Sequence, residues 1–526
     1  MVLDSERMTD GARWRIALAV VGGATVLRVL LLFITRVELY PDEAQYWLWS
    51  RRLAFGYFSK PPMIAWLIGL TTAIGGNGEA WVRLSAPFLH AGAALALYRA
   101  AQRLYDARTA LWSAAIYTLI AGVQLSSLII STDAPLMLTI SLALWAYAAL
   151  WTAGSAREKR IAAACFGLAV GAGVLTKYAA LYIPAGVALH AVLSMRARRC
   201  WDPVSVLIAV AATLAVASPN LIWNASHHFQ TLAHTADNAD LGDERAGLKG
   251  LFGTRGPFGF ILGQFGAFGP LPFAIVLLAA WRSARRKGSE PGLLLVCIAL
   301  PAFVVVLGES ILARANANWA GAGYPACAVL VAAMLARWRS RTWSSATLAT
   351  QSLIAVAFFI GMAIPGAPDA IGAGAAFKRA RGWRETTAGV LDAARKANGD
   401  GALSAIAVDD RFLFNALSYY GRDDLGRPAG ALPAPLKAWI HLESAANQAE
   451  AEAPLLLEQG RRVLGVSASA DYAPAFRADF IKVVPVTPPQ VRVRLDRKHE
   501  RVLDLFVGSD YRRRPRDPFT GRPIAP

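Results

Sequence analysis

The stretch PDEAQYWLWSRRLAFGYFSKPP at residues 41–62 combines acidic, aromatic and basic side chains directly after an apolar segment of membrane-spanning length. Asp42 and Glu43 form an adjacent acid pair, and Lys60 stands before a double proline. Ionisable residues at the end of a spanning helix are costly, so they are functional candidates by default. A carboxylate in this place suits a general base, and a lysine suits a phosphate as a point charge. We predict that Asp42 is catalytic. The predicted substrate contacts of this stretch are Glu43, Lys60 and Tyr57.

Structural interpretations of the same residues remain open. Asp42 follows Pro41 and could cap a helix, while Glu43 would favour the dipole of that helix. Lys60 could extend towards lipid headgroups as a snorkelling side chain. Capping does not exclude catalysis, because the two roles can coexist in one carboxylate.

Four further charged residues stand at the ends of apolar segments. Asp133, in SSLIISTDAPLML, is predicted to help position substrate, or else simply to begin a helix. Lys177, in GVLTKYAALY, either contacts substrate or anchors two spans at the membrane interface. Arg255 and Arg314 could clamp phosphate through paired donors or contact lipid headgroups. We predict that all four residues bind substrate.

The sequence gives no indication of a bound metal or cofactor. His227 and His228 are adjacent and His234 lies six residues further on, which is no standard spacing for metal ligands. The four cysteines form no CxxC or Cys/His pattern, so neither a zinc site nor a disulfide framework is predicted. We expect the histidine-bearing loop to contact substrate, and we expect no cofactor and no metal.

The composition predicts that most of the chain lies in a membrane. Of its 526 residues, 55% are hydrophobic and 17% are charged, and the mean hydropathy is +0.38. Soluble globular domains contain about 25% charged residues. The net charge of +18 does not indicate nucleic-acid binding, because lysine and arginine fall in short clusters between apolar segments, as the positive-inside rule describes.

Eleven apolar stretches are predicted to span the membrane. They lie near residues 15–36, 82–101, 109–130, 133–152, 161–177, 179–195, 203–223, 257–281, 291–308, 319–336 and 344–364. The first follows Arg13 and Arg15 and lacks a small-residue cleavage site, so we interpret it as a retained helix and not as a signal peptide. Residues 61–75 are apolar but too short to span, and we place them at the membrane interface.

Basic loops predict the orientation of these spans. Five short loops carry clusters of lysine and arginine: Arg103 and Arg108; Arg157, Lys159 and Arg160; Arg196, Arg198 and Arg199; Arg282, Arg285, Arg286 and Lys287; Arg337, Arg339 and Arg341. If the spans alternate, all five loops fall on the same side as the N-terminus, and the positive-inside rule makes that side cytoplasmic. The opposite face then receives the 37–81 loop and the other polar motifs described above.

The composition changes after residue 365, where charges and prolines become more frequent. We predict a transmembrane domain over 1–365, with a first outer loop at 37–81, and a small periplasmic α/β domain over 366–510. ARGWRETTAGVLDAARKA is typical of an amphipathic helix, while LSAIAVDD, KAWIHL and VRVRL are typical of strands. Residues 511–526 are predicted to be a disordered tail. The predicted fold is therefore mainly α: a polytopic transmembrane helix bundle with a small C-terminal α/β domain.

Several of these motifs together resemble the polytopic glycosyltransferases of the GT-C fold. They follow one another within residues 10–340 as DEAQYWLWSRRLAFGYFSKPPMIAWLI, STDAPLML, GVLTKYAAL, PNLIWN…HTADN and ANANWAGAGYP. The chain is most similar to the bacterial aminoarabinose lipid A transferases and the protein O-mannosyltransferases. The resemblance implies inverting transfer of a sugar from a polyprenyl-phosphate carrier on the periplasmic face of a bacterial inner membrane. The implied acceptors are lipid A, lipopolysaccharide core, another glycan or a protein.

The resemblance also implies roles for individual residues. Asp42 matches the first-loop acid that acts as the base, and Glu43 follows it as the family pattern expects. Lys60 matches a lysine that contacts the carrier phosphate, and Arg255 is a looser match to an arginine in the same role. Asp133 matches a second outer-loop acid that positions substrate or the first loop. No divalent metal is demanded, because cationic side chains can stabilise the charge on the departing phosphate.

Two other classes of protein remain as alternatives. A transporter or flippase of a lipid-linked anion would show repeat symmetry and charged or broken segments at mid-membrane, whereas the charges here gather at one face. An assembly protein without catalysis would keep its function after Asp42→Asn. We therefore expect an enzyme whose partners are a polyprenyl-phosphate sugar, a glycolipid, glycan or protein acceptor, and membrane lipids, with no nucleic acid.

Overall fold

The computed structural model describes residues 8–237, 256–285, 287–312, 315–364, 366–370, 372, 374–425, 432–457 and 461–516. Contacts between residues divide the chain into two compact units. The helical unit consists of residues 1–34 and 54–363, and the α/β unit consists of residues 35–53 and 364–526. The sequence predicts one boundary near residue 365, whereas the structure also assigns residues 35–53 to the α/β unit.

Helices of very different lengths make up the helical unit. Helix α2 (Pro41–Trp49) belongs to the α/β unit, and the helices of the helical unit are α1 (Asp10–Ile34), α3 (Met63–Gly75), α4 (Glu79–Arg83), α5 (Ser85–Leu104), α6 (Ala107–Leu119), α7 (Ala121–Ser126), α8 (Asp133–Trp151), α9 (Ala156–Val174), α10 (Tyr182–Leu193), α11 (Met195–Cys200), α12 (Pro203–Ser226), α13 (Gln230–Asp237), α14 (Pro257–Ala267), α15 (Pro270–Ala284), α16 (Glu290–Leu312), α17 (Tyr324–Trp338) and α18 (Arg341–Ala363). Short 3₁₀ turns at Tyr178–Leu181 and Ala317–Gly323 precede α10 and α17.

Among the described residues, seven helices are long and apolar enough to cross a membrane, or eight if the bent pair α14 and α15 forms one span. The multi-span helical architecture is thus confirmed, whereas the number of eleven spans stays a prediction. Two predicted spans, 109–130 and 179–195, consist of shorter helices. The first is interrupted at Ile120, whose backbone leaves the helical conformation (φ −54°, ψ 132°), and α10 has only 12 residues.

Small residues allow the helices that carry the polar motifs to pack closely. A Cβ at Gly167 of α9 would lie 2.2 Å from the Ala209 carbonyl oxygen of α12, and one at Gly171 would lie 2.8 Å from the Thr213 carbonyl oxygen. Such contacts bring helix backbones together in membranes, where association depends on van der Waals packing. The core of the unit includes α5, α6, α8 and α17. This packing positions the ends of α8, α9 and α12.

The α/β unit contains a five-stranded sheet in the order β2-β1-β3-β5-β4. Its strands are β1 (Ala405–Val408), β2 (Leu436–Ala438), β3 (Arg462–Ser467), β4 (Phe480–Arg494) and β5 (Glu500–Tyr511), and its helices besides α2 are α19 (Ala367–Ala370), α20 (Trp383–Gly399), α21 (Arg411–Tyr420), α22 (Gln448–Glu452) and α23 (Ala473–Ala478). Strand β1 pairs parallel with β2 and β3, whereas β5 pairs antiparallel with β3 and β4. The predicted helix and strands correspond to α20, β1, β2 and the end of β4.

Strand β5 extends into the tail that the sequence predicts to be disordered. Beyond it, Arg516 is buried and pairs with the buried carboxylate of Asp479, which also accepts a 3.0 Å hydrogen bond from the Arg514 amide. A buried carboxylate needs such partners because an unpaired charge in a protein interior is strongly destabilising. Tyr511 and Arg516 therefore pack within the α/β unit, while residues 512–515 between them are exposed. The prediction of a disordered tail is wrong for these two buried residues, and residues 517–526 lie outside the described residues.

Candidate active site

The loop that carries Lys60 is attached to the C-terminal end of α12. The Asn220 side chain donates a 2.7 Å hydrogen bond to the Phe55 carbonyl. Gly56 packs against the indole of Trp223, where an added Cβ would lie 2.2 Å from a ring carbon. A larger residue at position 56 would displace either the loop or the indole. Glycine is therefore required for this contact.

Tyr57 closes the same loop from within. Its hydroxyl accepts a 3.1 Å hydrogen bond from the Ala54 amide, and its own amide donates a 3.0 Å hydrogen bond to the Lys60 carbonyl. Thr231 of α13 donates to the Tyr57 carbonyl at 2.7 Å. The Tyr57 side chain is buried, so these contacts give it a structural role in the loop. Its contact with substrate stays a prediction.

Asp133 and Lys177 form an ion pair at one end of the spanning helices. The Lys177 ammonium lies 2.9 Å from one oxygen of the Asp133 carboxylate, and the Asn318 side-chain amide donates to the other oxygen at 3.3 Å. Both charged side chains are 23% exposed. Lys60 adds a second positive charge to the electrostatic surroundings of Asp133. Two predicted binding residues thus meet in the structure, and the charge of a third, Lys60, acts on Asp133.

The local sequence explains why these side chains converge. Asp133 is the first residue of α8, and the nearby Pro135 is tolerated because the first turn of a helix needs no intrahelical amide partner. Helix α9 ends at Val174, and Lys177 follows it with an extended backbone before the next 3₁₀ turn. Asn318 lies in the 3₁₀ turn between α16 and α17. All three side chains are therefore placed where helices begin or end.

A hydrogen-bond network joins the turn after α9 to α12. The Tyr178 hydroxyl donates to the side-chain oxygen of Asn220 at 3.1 Å and accepts from the side-chain amide of Asn224 at 3.2 Å. Both asparagines are buried. Because Asn220 also binds the Phe55 carbonyl, it links the lysine-bearing loop to this turn. The sequence predicts substrate contacts for the loop PNLIWNASHHFQTLAHTADNAD, which begins with the segment that carries Asn220 and Asn224. In the structure both asparagines belong to α12 and position the Lys60 loop, and their contact with substrate stays a prediction.

In the α/β unit, Glu38 holds the segment that precedes α2. Its carboxylate accepts hydrogen bonds from the amides of Trp383 at 2.5 Å and Arg384 at 3.2 Å, at the N-terminus of α20. The Leu39 amide donates a 2.8 Å hydrogen bond to the Tyr420 hydroxyl. A carboxylate at a helix N-terminus satisfies amides that lack an intrahelical partner and complements the helix dipole. Glu38 thereby anchors the chain just before α2.

Asp42 and Glu43 have different surroundings. Glu43 is buried, and its carboxylate accepts a 2.8 Å hydrogen bond from the Tyr40 amide at the start of α2. Asp42 is exposed in the first turn of the helix. The N-cap residue is Tyr40, so the alternative that Asp42 caps the helix is wrong. Asp42 is thus the exposed acid of the pair, and the roles of both residues towards substrate stay predictions.

Apolar contacts complete the attachment of α2 to the α/β unit. The ring of Trp47 meets the ring of Tyr419 of α21 edge-on, with 4.9 Å between their centroids. Leu48 packs against the core beside the sheet. These contacts explain why residues 35–53 belong to this unit and not to the predicted loop of the transmembrane domain.

Two predicted phosphate ligands, Arg255 and Arg314, lie outside the described residues. His227 stacks on Trp223, with 4.0 Å between the ring centroids. In the part of the chain that the structure describes, no group of three or more His, Cys, Asp or Glu side chains is placed to hold a metal ion. The expectation of a reaction without metal or cofactor stays a prediction.

Three positioning residues are not predicted from the sequence: Glu38, Gly56 and Asn318. Gly56 offers a weak signal, because glycine suits positions where the backbone closely approaches a neighbour. Asn318 lies in the ANANW motif, but the neighbouring sequence does not indicate that its side chain binds Asp133. Glu38 gives no local signal, since its partners lie in a helix of the distant C-terminal part.

Known proteins are similar to this chain in sequence. Residues 59–223 match the dolichyl-phosphate-mannose-protein mannosyltransferase family. The chain is 38% identical over 322 residues to the lipid A galacturonosyltransferase RgtD of Rhizobium johnstonii, a match that covers 61% of this chain and 66% of that protein. It is 28% identical over 283 residues to the undecaprenyl phosphate-alpha-4-amino-4-deoxy-L-arabinose arabinosyl transferase of Pectobacterium atrosepticum, which covers 50% of this chain and 49% of that protein. The chain thus matches about half to two thirds of the length of these curated relatives.

Solved structures share the fold. ArnT from Cupriavidus metallidurans in the apo state aligns with a TM-score of 0.63 at 16% identity, over 95% of this chain and 98% of that chain. The same protein bound to undecaprenyl phosphate aligns with a TM-score of 0.61 at 16% identity, over 93% and 97% of the two chains. At this level of identity the likeness shows the fold alone. With the family match and the sequence relatives above, it shows a multi-pass membrane protein of the GT-C fold that is similar in sequence to glycosyltransferases.

Proposed function

We propose that this protein transfers a sugar from an undecaprenyl-phosphate carrier to lipid A in the bacterial inner membrane. The observation that carries the proposal is the 38% identity to a lipid A galacturonosyltransferase over 61% of this chain. The names of the arabinosyl transferase relatives support the choice of carrier. The site is physically suited to such a substrate, because the Lys60 loop and the Asp133–Lys177 pair belong to one connected network at the ends of spanning helices.

The proposed reaction is a displacement at the anomeric carbon of the sugar. The acceptor oxygen forms the new glycosidic bond while the bond to the carrier phosphate breaks, so the configuration inverts. The sugar has oxocarbenium character in the transition state, and negative charge grows on the leaving phosphate. The products are the glycosylated acceptor and undecaprenyl phosphate.

We assign Asp42 as the general base, because it is exposed while the adjacent Glu43 is buried. Asp42 would accept the proton of the acceptor hydroxyl as the new bond forms. We assign Lys60 to the leaving phosphate, whose growing negative charge it would stabilise. Both side chains lie in the stretch at residues 41–62.

Lys177 is proposed as a second phosphate ligand, held in place by Asp133. An ammonium group has three donors, and the 2.9 Å contact with Asp133 uses one of them. The remaining donors can bind phosphate oxygens. Arg255 and Arg314 are proposed as further phosphate ligands on their sequence positions alone.

We also propose that the N-terminus faces the cytoplasm and that the α/β unit faces the periplasm. The distribution of basic loops supports this orientation. The test introduces Asp400→Cys into a variant without the four native cysteines and applies a membrane-impermeant thiol reagent to intact spheroplasts. We expect labelling from the periplasmic side. Labelling from the cytoplasmic side alone would reverse the orientation.

The activity is tested with the purified protein in proteoliposomes, lipid A as acceptor and undecaprenyl-phosphate-linked galacturonic acid or aminoarabinose as donor. We expect free undecaprenyl phosphate to appear together with sugar on lipid A. Asp42→Asn and Lys60→Ala should each reduce turnover by about 100-fold or more. Glu158→Gln and Lys287→Ala remove exposed charges elsewhere and serve as matched controls.

The same experiment separates the enzyme from a flippase. Movement of the intact donor across the bilayer without transfer of its sugar would identify a transporter. Transfer to a glycan or a protein, with lipid A left unmodified, would keep the enzyme and replace the acceptor.

A further inference from the structure

A cavity of about 320 Å³ lies in the helical unit between the ends of α6, α15, α16 and α17. Four arginines line it: Arg108, Arg282, Arg337 and Arg339. Among the described lining residues, the only acid is Asp106. The formal charge of the lining is therefore strongly positive. Neither the predicted site residues nor the proposed reaction uses any of these side chains.

The N-termini of α6 and α16 add positive character to this cavity, whereas the C-termini of α15 and α17 carry partial negative charge beside Arg282 and Arg337. Asp106 caps α6 and accepts a 2.7 Å hydrogen bond from the Thr109 amide, so its charge already serves that helix. Helix α16 begins beside the cavity, where the Ser289 side chain accepts a 3.1 Å hydrogen bond from the Gly292 amide. Helix N-termini carry partial positive charge and favour bound anions. Two such ends and four guanidinium groups thus surround one cavity.

The cavity lies at the membrane end opposite to the Asp133 site. Helix α16 has 23 residues, which at 1.5 Å per residue make it about 35 Å long. It leads from the cavity towards the turn that carries Asn318, the partner of Asp133. Helix α17 starts after that turn and returns to Arg337 at its C-terminal end. The cavity is therefore separate from the proposed site of sugar transfer.

The size of the cavity suits a compact polar group. Small-molecule sites in proteins have volumes of about 300–1,000 Å³, and this cavity is at the low end of that range. Gly292 forms part of its wall, where an added Cβ would lie 3.0 Å from the Ser289 hydroxyl and 3.9 Å from the Tyr105 hydroxyl. A long side chain at position 292 would therefore enter the cavity.

We propose that this cavity binds a phosphate-bearing anion, the chemistry that an anionic phospholipid headgroup shares with free phosphate. The planar guanidinium group matches phosphate oxygens through paired donors. Basic pockets between membrane helices at the cytoplasmic side suit anionic headgroups in particular. A bound phosphate would connect the ends of four helices that each contribute positive charge. This site is distinct from the ligands proposed for the carrier phosphate.

The test measures binding of phosphatidylglycerol to the purified full chain in phosphatidylcholine nanodiscs, by native mass spectrometry and by the thermal shift. We expect bound phosphatidylglycerol to raise the unfolding temperature. Arg108→Gln combined with Arg282→Gln should weaken binding by about 100-fold, since each charge-assisted contact between a guanidinium group and phosphate contributes about tenfold. The control combines Arg157→Gln and Arg160→Gln, which are exposed at the start of α9, and should leave binding unchanged.

Two further variants keep the result interpretable if the first variant folds poorly. Gly292→Leu should block the cavity without any change of charge. Arg337→Gln combined with Arg339→Gln alters side chains that are exposed at the end of α17 and should weaken binding as the first pair does. Gel filtration verifies the folding of each variant.

Separate titrations with inorganic phosphate distinguish the two sources of the anion. The site would be assigned to free phosphate if inorganic phosphate raises the unfolding temperature and the cavity variants reduce this effect, while phosphatidylglycerol stabilises the protein no more than phosphatidylcholine does. The reverse pattern would assign it to a lipid headgroup. The proposal would be overturned if the folded cavity variants bound phosphatidylglycerol and inorganic phosphate as well as the Arg157/Arg160 control does.

Discussion

Glu38→Gln tests whether the α/β unit holds the segment that carries Asp42. The Glu38 carboxylate accepts amide hydrogen bonds of 2.5 and 3.2 Å from the first turn of α20. Hydrogen bonds to a charged group contribute about 1.5–3 kcal/mol each, and the helix dipole adds about 0.3–1 kcal/mol. Glutamine retains the shape and one acceptor oxygen but loses the charge. We therefore expect residues 35–53 to open more easily by about 2 kcal/mol.

Hydrogen exchange followed by mass spectrometry measures this opening directly. A change of 2 kcal/mol corresponds to exchange that is about 30-fold faster, and the increase should be confined to residues 35–53 and the start of α20. Turnover should fall in parallel, because Asp42 lies in the released segment. Glu385→Gln is the matched control: it removes an exposed charge from the same first turn without removing the two hydrogen bonds.

Equal exchange in Glu38→Gln and Glu385→Gln would refute the role of Glu38 as an anchor. Faster exchange throughout the sheet would also contradict it, because the variant would then destabilise the whole α/β unit. Faster exchange of residues 35–53 with unchanged turnover would separate the anchor from the reaction and would count against Asp42 as the base.

Three further changes test other contacts. Gly56→Ala places a Cβ 2.2 Å from an indole ring and should lower turnover by about 100-fold, because the loop is displaced. The control is Gly78→Ala, whose added Cβ would lie 3.8 Å from its nearest neighbour and should have little effect on turnover. Equal turnover in the two variants would contradict the contact between Gly56 and the indole. A double-mutant cycle of Asp133→Asn and Lys177→Met should give a coupling energy of about 0.5–3 kcal/mol in unfolding measurements, and additive effects of the single changes would show that the pair contributes nothing. Burial raises the pKa of Asp409 above its usual value of 3.8, so the folded chain binds this proton at a higher pH than the unfolded chain does. The α/β unit should therefore gain stability as the pH falls through the raised pKa towards 3.8. The protection of β1 against hydrogen exchange should increase as the pH falls in the unmodified protein but not in Asp409→Asn. Identical dependence of this protection on pH in the two proteins would contradict the prediction.

The multi-span fold is predictable because hydropathy and clustered positive charge are properties of each segment by itself. The number of spans is harder to predict, since composition does not reveal a break within an apolar stretch. Ile120 has an ordinary apolar side chain, yet its backbone leaves the helical conformation. The position of this helix break depends on tertiary packing, which sequence periodicity does not report.

The candidate site is predictable in part for the same reason. Asp133 and Lys177 each stand at the end of an apolar segment, and alternation of the spans puts them on one face. Their direct contact and its completion by Asn318 depend on how the helices pack. The apolar residues of α2 predict burial but do not identify the partner, which is Tyr419 of α21 in the case of Trp47.

The central claim is tested most directly by a single-turnover reaction of the purified protein with undecaprenyl-phosphate-linked sugar and lipid A, with mass spectrometry of both products. We expect one undecaprenyl phosphate to be released for each sugar attached to lipid A, with inversion at the anomeric carbon. In Asp42→Asn the rate of this step should fall by about 100-fold or more. Sugar transfer by Asp42→Asn at the unmodified rate, or release of undecaprenyl phosphate with no sugar on lipid A, would contradict the claim.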